Sequence, residues 1–334
     1  MQIGKYELRE KIGEGGMGKI FRAVNNDGHI VAIKLSSDIT DDHDLAKRFQ
    51  REAELLKRLK DCPYIVTYLG HGVAHNFTYI IMELLEGKSL WTYLQSRGGC
   101  LPQTEALALI KQVCAGMIYV HDLGILHRDL KPDNIFVVKG SDGEPFIKIL
   151  DFGLAKDVTD NAAPAITQVF TKLGTPVYMP PEQHDDASSV DERADVFTLG
   201  RILFHLLAGH DAYPDGCVAG VAYAKLSSMP DDAIWDVVIR AVNPDLTHRQ
   251  RSVREFWEQL ELAAAPVPVI PPAPLVANPS SALASTVPKN LATFKTKIVS
   301  VVLALLVVFV GFVVEITTLT DRLWDRHAPE SSRP

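Results

Sequence analysis

The order of apolar and polar positions divides the first 262 residues into two parts. Up to about residue 88, apolar and polar residues alternate in short runs separated by turn residues, which is typical of β-strands. Beyond that point the apolar positions recur at helical spacing over longer segments, for example at 104–124. The pattern predicts an α+β fold with two lobes: a small β-rich lobe at about 1–86 and a larger α-helical lobe at about 87–262.

One main helix is expected inside the β-rich lobe. Between residues 42 and 60, a stripe of positions spaced four and three apart lies on one helical face, and its members are Leu45, Phe49, Glu52, Leu56 and Leu59. Glu52 is the charged member of that face and is therefore predicted to point inward. Glu54 lies roughly 200° further round the helix and is predicted to face solvent. An inward carboxylate needs a positive partner, and the alternative is that Glu52 is an ordinary solvated helix carboxylate.

Two segments near the C-terminus have a different character from the first 262 residues. Residues 263–295 are rich in Pro, Ala and Ser and carry no helix or strand period, which predicts an extended linker. Residues 298–314 carry no charge and would span about 26 Å as a helix. Extension to 296–316 approaches the roughly 30 Å of a bilayer core, so we predict a transmembrane helix there, with a buried core helix as the alternative. Residues 317–334 would then form a short extracytoplasmic tail.

Composition narrows the class of partner and the compartment. The formal net charge is -7 and the basic residues are scattered among acidic ones, which disfavours nucleic acid as a partner. Cys62, Cys100, Cys114 and Cys217 have neither metal-ligand spacing nor the pattern of a disulfide framework, and are read as reduced thiols. Together with an N-terminus that lacks a cleavable export signal, this predicts a cytoplasmic position for residues 1–262 and a cell-membrane location through the single C-terminal helix.

A glycine-rich segment supplies the first candidate for chemistry. Gly13, Gly15 and Gly18 stand in a G-x-G-x-x-G arrangement, which allows a backbone to approach phosphate groups closely. A dinucleotide-binding turn would open a helix at this point. Here residues 19–24 and 29–35 both have strand character and a turn separates them, so we predict a hairpin lid instead. An ordinary glycine-rich turn is the alternative.

Charged residues gather in three further motifs. Lys34 ends the strand-like motif VAIK among apolar neighbours and needs a counter-charge, for which Glu52 is the candidate. The segment HRDLKPDN, at 127–134, is a loop rich in charge between a helix end and a short strand. Asp151 follows the next strand, so a hairpin would bring Asn134 and Asp151 together. Two such oxygen donors suit Mg²⁺ shared with nucleotide phosphates.

These motifs resemble those of one family. GEGGMGKI, VAIK, HRDLKPDN, DFG and a version of APE occur in the order typical of eukaryotic-type, or Hanks-type, serine/threonine protein kinases, and the layout is similar to that of their single-pass bacterial members. The resemblance covers about residues 6–260. It implies an ATP-dependent enzyme that transfers a γ-phosphate to Ser or Thr hydroxyls of protein substrates, with ATP and Mg²⁺, or Mn²⁺, as cofactors.

The resemblance also implies roles for individual residues. Asp129 would orient the substrate hydroxyl and accept its proton, Lys131 would assist it, and Lys34, paired with Glu52, would hold the α and β phosphates. Asn134 and Asp151 would hold the metal. The residues expected to bind ATP are Ile12, Gly13, Glu14, Gly15, Gly16, Met17, Gly18, Lys19, Ile20, Ala32, Lys34, Met82, Glu83, Leu85 and Phe136.

Regulatory and supporting residues follow from the same resemblance. Thr167 and Thr171 are candidate phosphorylation sites in the segment after Asp151, which would become ordered against Arg128 once phosphorylated. By the same resemblance, the loop at 127–134 would be the catalytic loop, and Asp195 would support its backbone. The ion pair of Glu182 and Arg249 would be structural.

The chain departs from the family at two points. The APE motif reads Pro180-Pro181-Glu182, so proline stands in place of its alanine at position 180. The stretch 209–249 is also short for the family. We therefore assign no docking residues there.

Two alternatives to an active protein kinase remain. A membrane-tethered pseudokinase that serves as a binding or scaffold module would be expected to lack a catalytic residue, and a small-molecule kinase would be expected to lack the HRDLKP loop. Self-association of an active kinase would allow one molecule to phosphorylate another.

Overall fold

The structure is a computed structural model, and it describes residues 1–15, 18–36, 43–152, 156–157, 178–185, 190–209 and 232–265. The chain divides into two units, Met1–Val267 and Pro268–Pro334. All described residues belong to the first unit. The second unit, which contains the predicted linker and transmembrane helix, lies outside the described residues.

A six-stranded antiparallel sheet forms the N-terminal lobe. Its strand order is β1-β2-β3-β4-β6-β5. The strands are β1 (Gln2–Ile3), β2 (Tyr6–Gly15), β3 (Gly18–Asn25), β4 (Ile30–Leu35), β5 (Tyr68–Ala74) and β6 (Phe77–Glu83). Alternate side chains of β1 to β4 pack on one face into a small core of their own, with members such as Ile3, Ala23 and Ile33 fully buried. The strand-like alternation seen in the sequence is confirmed here.

Helix α1 (His43–Arg58) crosses the other face of this sheet. The predicted apolar stripe is inward, since Phe49, Glu52 and Leu56 are each at most 1% exposed. The side chain of Leu45 is outside the described residues. Glu54 is half exposed, as its position on the helix predicted.

Two smaller sheets follow the first lobe. Strands β10 (Pro145–Ile149), β9 (Ile135–Lys139) and β7 (Gly87–Ser89) form one, and β11 (Lys156–Asp157) pairs with β8 (Ile125–Leu126) in the other. β9 and β10 form the expected hairpin in the register Ile135↔Ile149. Ile149 also bonds through its backbone to Tyr64 and Val66, so β10 is tied to the segment that follows α1.

The C-terminal lobe is mainly helical and surrounds the large core. Its described α-helices are α2 (Leu90–Ser96), α3 (Gln103–Asp122), α4 (Pro181–Asp185), α5 (Arg193–Ala208), α6 (Ala233–Ala241) and α7 (Val253–Ala264). Helix α5 lies at the centre, because every residue from Ala194 to Leu206 is buried. The predicted domain boundary at 262 falls inside α7, which continues to Ala264.

Helices that could cross a membrane were predicted only near the C-terminus. Within the described ranges, none of the helices has the length and apolar character that a membrane crossing requires. The predicted span at 296–316 is outside those ranges.

Candidate active site

The glycine-rich segment forms a hairpin. Strand β2 ends at Gly15 and β3 begins at Gly18, so the backbone reverses between strands and does not open a helix. This excludes the dinucleotide-binding alternative. Gly18 has φ +148° and a Cβ added to it would lie 1.9 Å from the Leu35 carbonyl oxygen, so glycine alone fits there. Gly16 and Met17, at the tip, lie outside the described residues.

Lys34, on β4, is held between two carboxylates. Its Nζ donates to both oxygens of Glu52 at 2.7 and 2.8 Å and to Oδ1 of Asp151 at 3.1 Å. Lys34 and Glu52 are almost fully buried, whereas the Asp151 side chain is 38% exposed. The pairing predicted from the helix stripe is therefore present, and Asp151 opens this cluster of charge to solvent.

Burial and ion pairing act against each other on these groups. Burial opposes the charge of Lys34, but the carboxylates of Glu52 and Asp151 outweigh it and raise the pKa of Lys34 above its ordinary value. Burial also raises the pKa of Glu52, to about 7, against the lowering effect of Lys34. The raised pKa of Lys34 favours the charged ammonium, whereas a pKa of about 7 for Glu52 would leave part of Glu52 as the neutral acid at neutral pH. Because both Glu52 oxygens accept from one ammonium at close range, we assign the ionised form at neutral pH.

Three of the apolar residues expected to contact adenine lie on strands next to Lys34. Ala32 pairs with Met82 across β4 and β6, and Ile20 pairs with Lys34 across β3 and β4. Ala32 and Met82 are buried, while Ile20 and the more distant Phe136, on β9, are partly exposed. The resemblance assigned these residues to the nucleotide site, and the structure places Ile20, Ala32 and Met82 on the adjacent strands β3, β4 and β6.

The segment 83–86, which we call the hinge, begins with the last residue of β6 and joins the two lobes, and it has a feature that the sequence did not predict. The backbone N–H of Glu83 donates to the Thr67 carbonyl at 3.0 Å, so it is not available to a nucleotide. The Glu83 carboxylate lies 2.7 Å from Nζ of Lys148, on β10, and accepts from the Thr67 hydroxyl at 2.8 Å. Glu83 thus connects the hinge to the C-terminal lobe. Leu85, further along the hinge, is partly buried against the main core.

The catalytic loop places Asp129 beside two donors. Its Oδ2 accepts from Nζ of Lys131 at 2.8 Å and from Nδ2 of Asn134 at 3.1 Å. Nδ2 of Asn134 also donates to the backbone oxygen of Asp129 at 2.7 Å. Asp129 is therefore oriented by Lys131 and by Asn134, and the contact with Asn134 adds to the metal-binding role that the resemblance implied for that residue.

The β9–β10 hairpin brings the two expected metal ligands to the same end of the sheet. Leu150 donates its backbone N–H to the Asn134 carbonyl at 2.8 Å, and Asp151 follows directly. Because Nδ2 of Asn134 is turned to Asp129, the amide oxygen is the atom left for a cation. Among the described residues, no three His, Cys, Asp or Glu side chains are grouped to hold a metal. An amide oxygen and a carboxylate fit a Mg²⁺ ion that takes its remaining ligands from phosphates and water.

Asp195, at the start of α5, supports the catalytic loop through hydrogen bonds to its backbone. Its Oδ2 accepts the backbone N–H of His127 and its Oδ1 that of Arg128, both at 3.0 Å. The Nε2 of His121, on α3, lies 2.8 Å from the same Oδ2, and its Nδ1 lies 3.3 Å from Glu192. The resemblance implied the role of Asp195, but the sequence did not indicate His121. Its signal would have been a histidine in the last turn of a helix that precedes the loop.

His121 should make stability depend on pH. Burial of the ring lowers the pKa of His121, but the hydrogen bond to Asp195 and the nearby Glu192 carboxylate outweigh this and raise it from 6.5 to about 9. Since the folded-state pKa is the higher one, the protonated ring stabilises the fold fully below about pH 6.5, and that contribution is lost as pH rises through about 9. The full contribution is at most roughly 3 kcal/mol.

Urea unfolding of the wild type and of His121→Gln, at pH 6 and pH 9.5, measures this effect. We expect the wild type to exceed the variant in free energy of unfolding at pH 6 and to lose most of that advantage at pH 9.5. An equal difference at both values would show that His121 is not charged in the folded state.

The remaining supporting pair is also in place. Both oxygens of Glu182 accept from the guanidinium of Arg249 at 2.6 and 2.8 Å, and the Arg249 side chain is fully buried. Arg249 also donates to the backbone oxygen of Asn243 and lies 4.6 Å from the centre of the Phe197 ring. Helix α4 is therefore fixed to the rest of the C-terminal lobe by an ion pair.

The predicted phosphorylation sites are not part of the described structure. Thr167 and Thr171 lie between residues 158 and 177, which are outside the described ranges. The departure from the family lies at Pro180, which directly precedes helix α4, so its missing N–H removes no hydrogen bond from that helix.

The fold and this arrangement of charged residues are those of a protein kinase. The protein kinase domain family matches residues 6–257. The crystal structure of the Mycobacterium tuberculosis PknI kinase domain superimposes with a TM-score of 0.61 and 25% sequence identity, covering 79% of this chain and 98% of that one. The chain therefore belongs to the protein kinase family, in its Hanks-type branch.

Its relatives are bacterial serine/threonine kinases. The serine/threonine-protein kinase pkn2 of Myxococcus xanthus is 33% identical over 275 residues, which are 78% of this chain and 32% of that protein. The kinase pkn3 of the same organism is 33% identical over 303 residues, or 86% and 55%. PknD of Mycobacterium tuberculosis is 36% identical over 227 residues, or 67% and 33%. The chain thus spans between a third and just over half of the length of these curated relatives.

Proposed function

We propose that this chain is an active serine/threonine protein kinase that transfers the γ-phosphate of ATP to Ser or Thr hydroxyls of proteins. The observation that carries the proposal is the ammonium of Lys34 held between Glu52 and Asp151, with Asp129 and Asn134 on the adjoining loop. This is a charged site built to position phosphates, and it contains no covalent nucleophile. The names of the relatives support Ser/Thr as the acceptor.

Each part of the site has one task in this proposal. Lys34 binds the α and β phosphates, and the buried Glu52 fixes its position. Asn134 and Asp151 would hold Mg²⁺, which neutralises charge on the transferred phosphoryl group. Asp129 orients the acceptor hydroxyl and takes its proton late in the transfer, because a carboxylate is a weak base for an alcohol. Lys131, bonded to Asp129, would steady the transferred phosphoryl group.

The direct test is incubation of the purified chain with Mg²⁺ and ATP labelled on the γ-phosphate, followed by mapping of phosphorylated residues by mass spectrometry. A generic basic protein and a membrane-depleted lysate serve as acceptors. Label on Ser and Thr of the acceptors supports the proposal. A folded chain that binds ATP but transfers no label under any of these conditions would favour the pseudokinase instead. The pseudokinase is disfavoured because Lys34, Glu52, Asp129, Asn134 and Asp151 are all present.

Phosphorylation of Thr167 or Thr171 is proposed to switch the enzyme on. Arg128 directly precedes Asp129 and is buried in the catalytic loop, so a phosphate that reached it would bring about -1.5 to -2 charges to the loop. We expect the double variant Thr167→Ala/Thr171→Ala to be several-fold less active than the wild type after preincubation with ATP. Phosphatase-treated wild type is the control and should match the variant. Equal activity of the wild type before and after phosphatase treatment would show that phosphorylation does not switch the enzyme on.

Anchoring by a C-terminal helix at 296–316 is proposed to concentrate the kinase at the cell membrane, with residues 1–262 in the cytoplasm. Lys295 and Lys297 lie directly on the kinase side of the apolar segment, as the positive-inside tendency requires. A chain shortened after Ala265, just past the end of α7, should phosphorylate a peptide at the full-length rate. Phosphorylation between its own molecules should be slower when dilute and recover at higher concentration. Loss of peptide phosphorylation at every concentration would contradict the proposal.

A further inference from the structure

A buried glutamine connects helix α4 to the catalytic loop. Gln183 is 1% exposed, and its Nε2 donates to the backbone oxygen of Arg128 at 2.8 Å. The two residues are 55 positions apart in the sequence. The accepting carbonyl belongs to the peptide unit that joins Arg128 to Asp129, so the contact is made one bond from the backbone of the proposed catalytic aspartate.

That peptide unit follows a strained residue. Arg128 has φ +66°, in the left-handed region that side chains other than glycine rarely adopt. Such a conformation persists only when its surroundings hold it. Asp195 holds the N–H of Arg128 from the α5 side, and Gln183 holds the carbonyl from the α4 side. The bond from the Arg128 N–H to Asp195 restrains the peptide unit that precedes Arg128. The bond from Gln183 restrains rotation about the ψ angle of Arg128, and that angle sets the direction in which the chain continues to Asp129.

The two halves of the Gln183 amide are used unequally. Within the described part of the chain, its Oε1 is buried without a hydrogen-bond partner. A buried amide oxygen that has lost water and gained no donor destabilises the fold, and a methionine of similar length would avoid this. The position therefore keeps an amide despite its unsatisfied oxygen, and the N–H donated to Arg128 is what the amide contributes.

Anchoring of α4 does not explain the glutamine. The neighbouring Glu182 already joins α4 to the C-terminal lobe through its two bonds to Arg249. The bond from Gln183 acts in the other direction and fixes the loop to the helix.

We propose that Gln183 is a positioning residue for phosphotransfer, which fixes the Arg128–Asp129 peptide so that the Asp129 carboxylate meets the acceptor hydroxyl. The proposal rests on the proposed kinase function. Gln183 does not touch substrate or nucleotide. Its loss should therefore lower kcat by misplacing Asp129 and leave the KM for ATP unchanged, because Lys34 and the strands that carry it are not involved.

The test compares two methionine variants. Gln183→Met keeps the length of the side chain and removes the donor. Gln250→Met is the matched control, because Gln250 is also fully buried and its Nε2 also donates to a backbone oxygen, that of Val237 at 3.1 Å. Its Nε2 donates as well to Oε1 of Gln259, and neither partner belongs to the catalytic loop. We expect Gln183→Met to lower kcat by roughly 10- to 100-fold with the KM for ATP within about twofold of the wild type. Gln250→Met should lower the melting temperature without changing kcat.

A second variant separates positioning from packing and covers failure of the first to fold. Gln183→Glu keeps the shape, but an ionised carboxylate only accepts hydrogen bonds and would face the Arg128 oxygen. Once protonated it can donate. Its activity relative to the wild type should therefore rise as the pH is lowered from about 8 to about 6, because burial favours the neutral acid. A relative activity that is constant over this range would overturn the proposal, as would a Gln183→Met variant with wild-type kcat.

Hydrogen exchange of the amides at 127–130 gives a readout that needs no turnover. Exchange should be faster in Gln183→Met than in the wild type and unchanged in Gln250→Met. If the wild type proves inactive, the kinase function is wrong, whereas the restraint on the loop is still decided by this measurement. Equal exchange in all three proteins would overturn the restraint itself.

Discussion

Asp129→Asn should lower the rate of phosphotransfer by roughly 10²- to 10⁴-fold while the domain stays folded. The substitution keeps the size of the side chain and removes the charge and the proton acceptor. The Asp129 side chain is 17% exposed and accepts from Lys131 and Asn134, so an amide in its place disturbs two hydrogen bonds but no apolar packing. Turnover on a peptide, measured at saturating ATP, and the melting temperature together test this expectation.

Asp133→Asn is the control for that experiment. Asp133 lies in the same loop and is exposed, and the same chemical change there should leave the rate within about twofold of the wild type. A purified Asp129→Asn enzyme with near-wild-type turnover would exclude the mechanism proposed for Asp129. Residual activity should be checked for sensitivity to removal of Lys34, which distinguishes it from a contaminating kinase.

Lys34→Met should abolish activity and also reduce stability. The loss of activity follows because the phosphates lose their fixed positive partner, which is worth roughly 10²- to 10³-fold or more in kcat. The loss of stability follows because Glu52 is 1% exposed and would remain in the core without its counter-charge. Breaking a buried ion pair in this way costs about 3 kcal/mol, and uptake of a proton by Glu52 reduces that cost.

The double variant Lys34→Met/Glu52→Leu separates the two effects. It removes both charges of the buried pair and extends the apolar stripe formed by Phe49 and Leu56 on α1. Asp151 also loses its contact with Lys34, but its side chain is 38% exposed and can be solvated. We expect the free energy of unfolding to return to within about 1 kcal/mol of the wild type, since apolar replacement of a buried pair is often neutral. Activity should remain absent. Recovery of activity in the double variant would show that Lys34 and Glu52 only support each other and do not position phosphate.

Short-range pattern was sufficient for much of the fold. The hairpin around the glycines, helix α1 and the inward position of Glu52 follow from spacing within fewer than twenty residues, where strand and helix periods determine which side chains share a face. The β9–β10 hairpin is of the same kind, because turn residues separate two apolar runs. The order of the motifs then identified the family before any contact was known.

Contacts between distant segments could not be read in this way. His121 meets Asp195 across 74 residues, and Gln183 meets Arg128 across 55. A single histidine or glutamine inside a helix has no periodicity that distinguishes a buried donor from a solvated side chain. The link between Glu83 and Lys148 is similar, since each residue alone resembles an ordinary surface charge. Only the tertiary packing of distant segments brings these partners together, and it leaves no local signal in the sequence.

The ion pair between Glu182 and Arg249 restricts how this sequence can change over generations. The two residues are 67 positions apart, yet substitution of Glu182 alone leaves the fully buried Arg249 without its counter-charge, and substitution of Arg249 alone leaves the mostly buried Glu182 unpaired. A mutant with one change must therefore pass through a destabilised state. Substitutions at positions 182 and 249 are therefore expected to occur as a pair. A descendant of this chain that has lost Arg249 is therefore expected to have lost the carboxylate at position 182 as well.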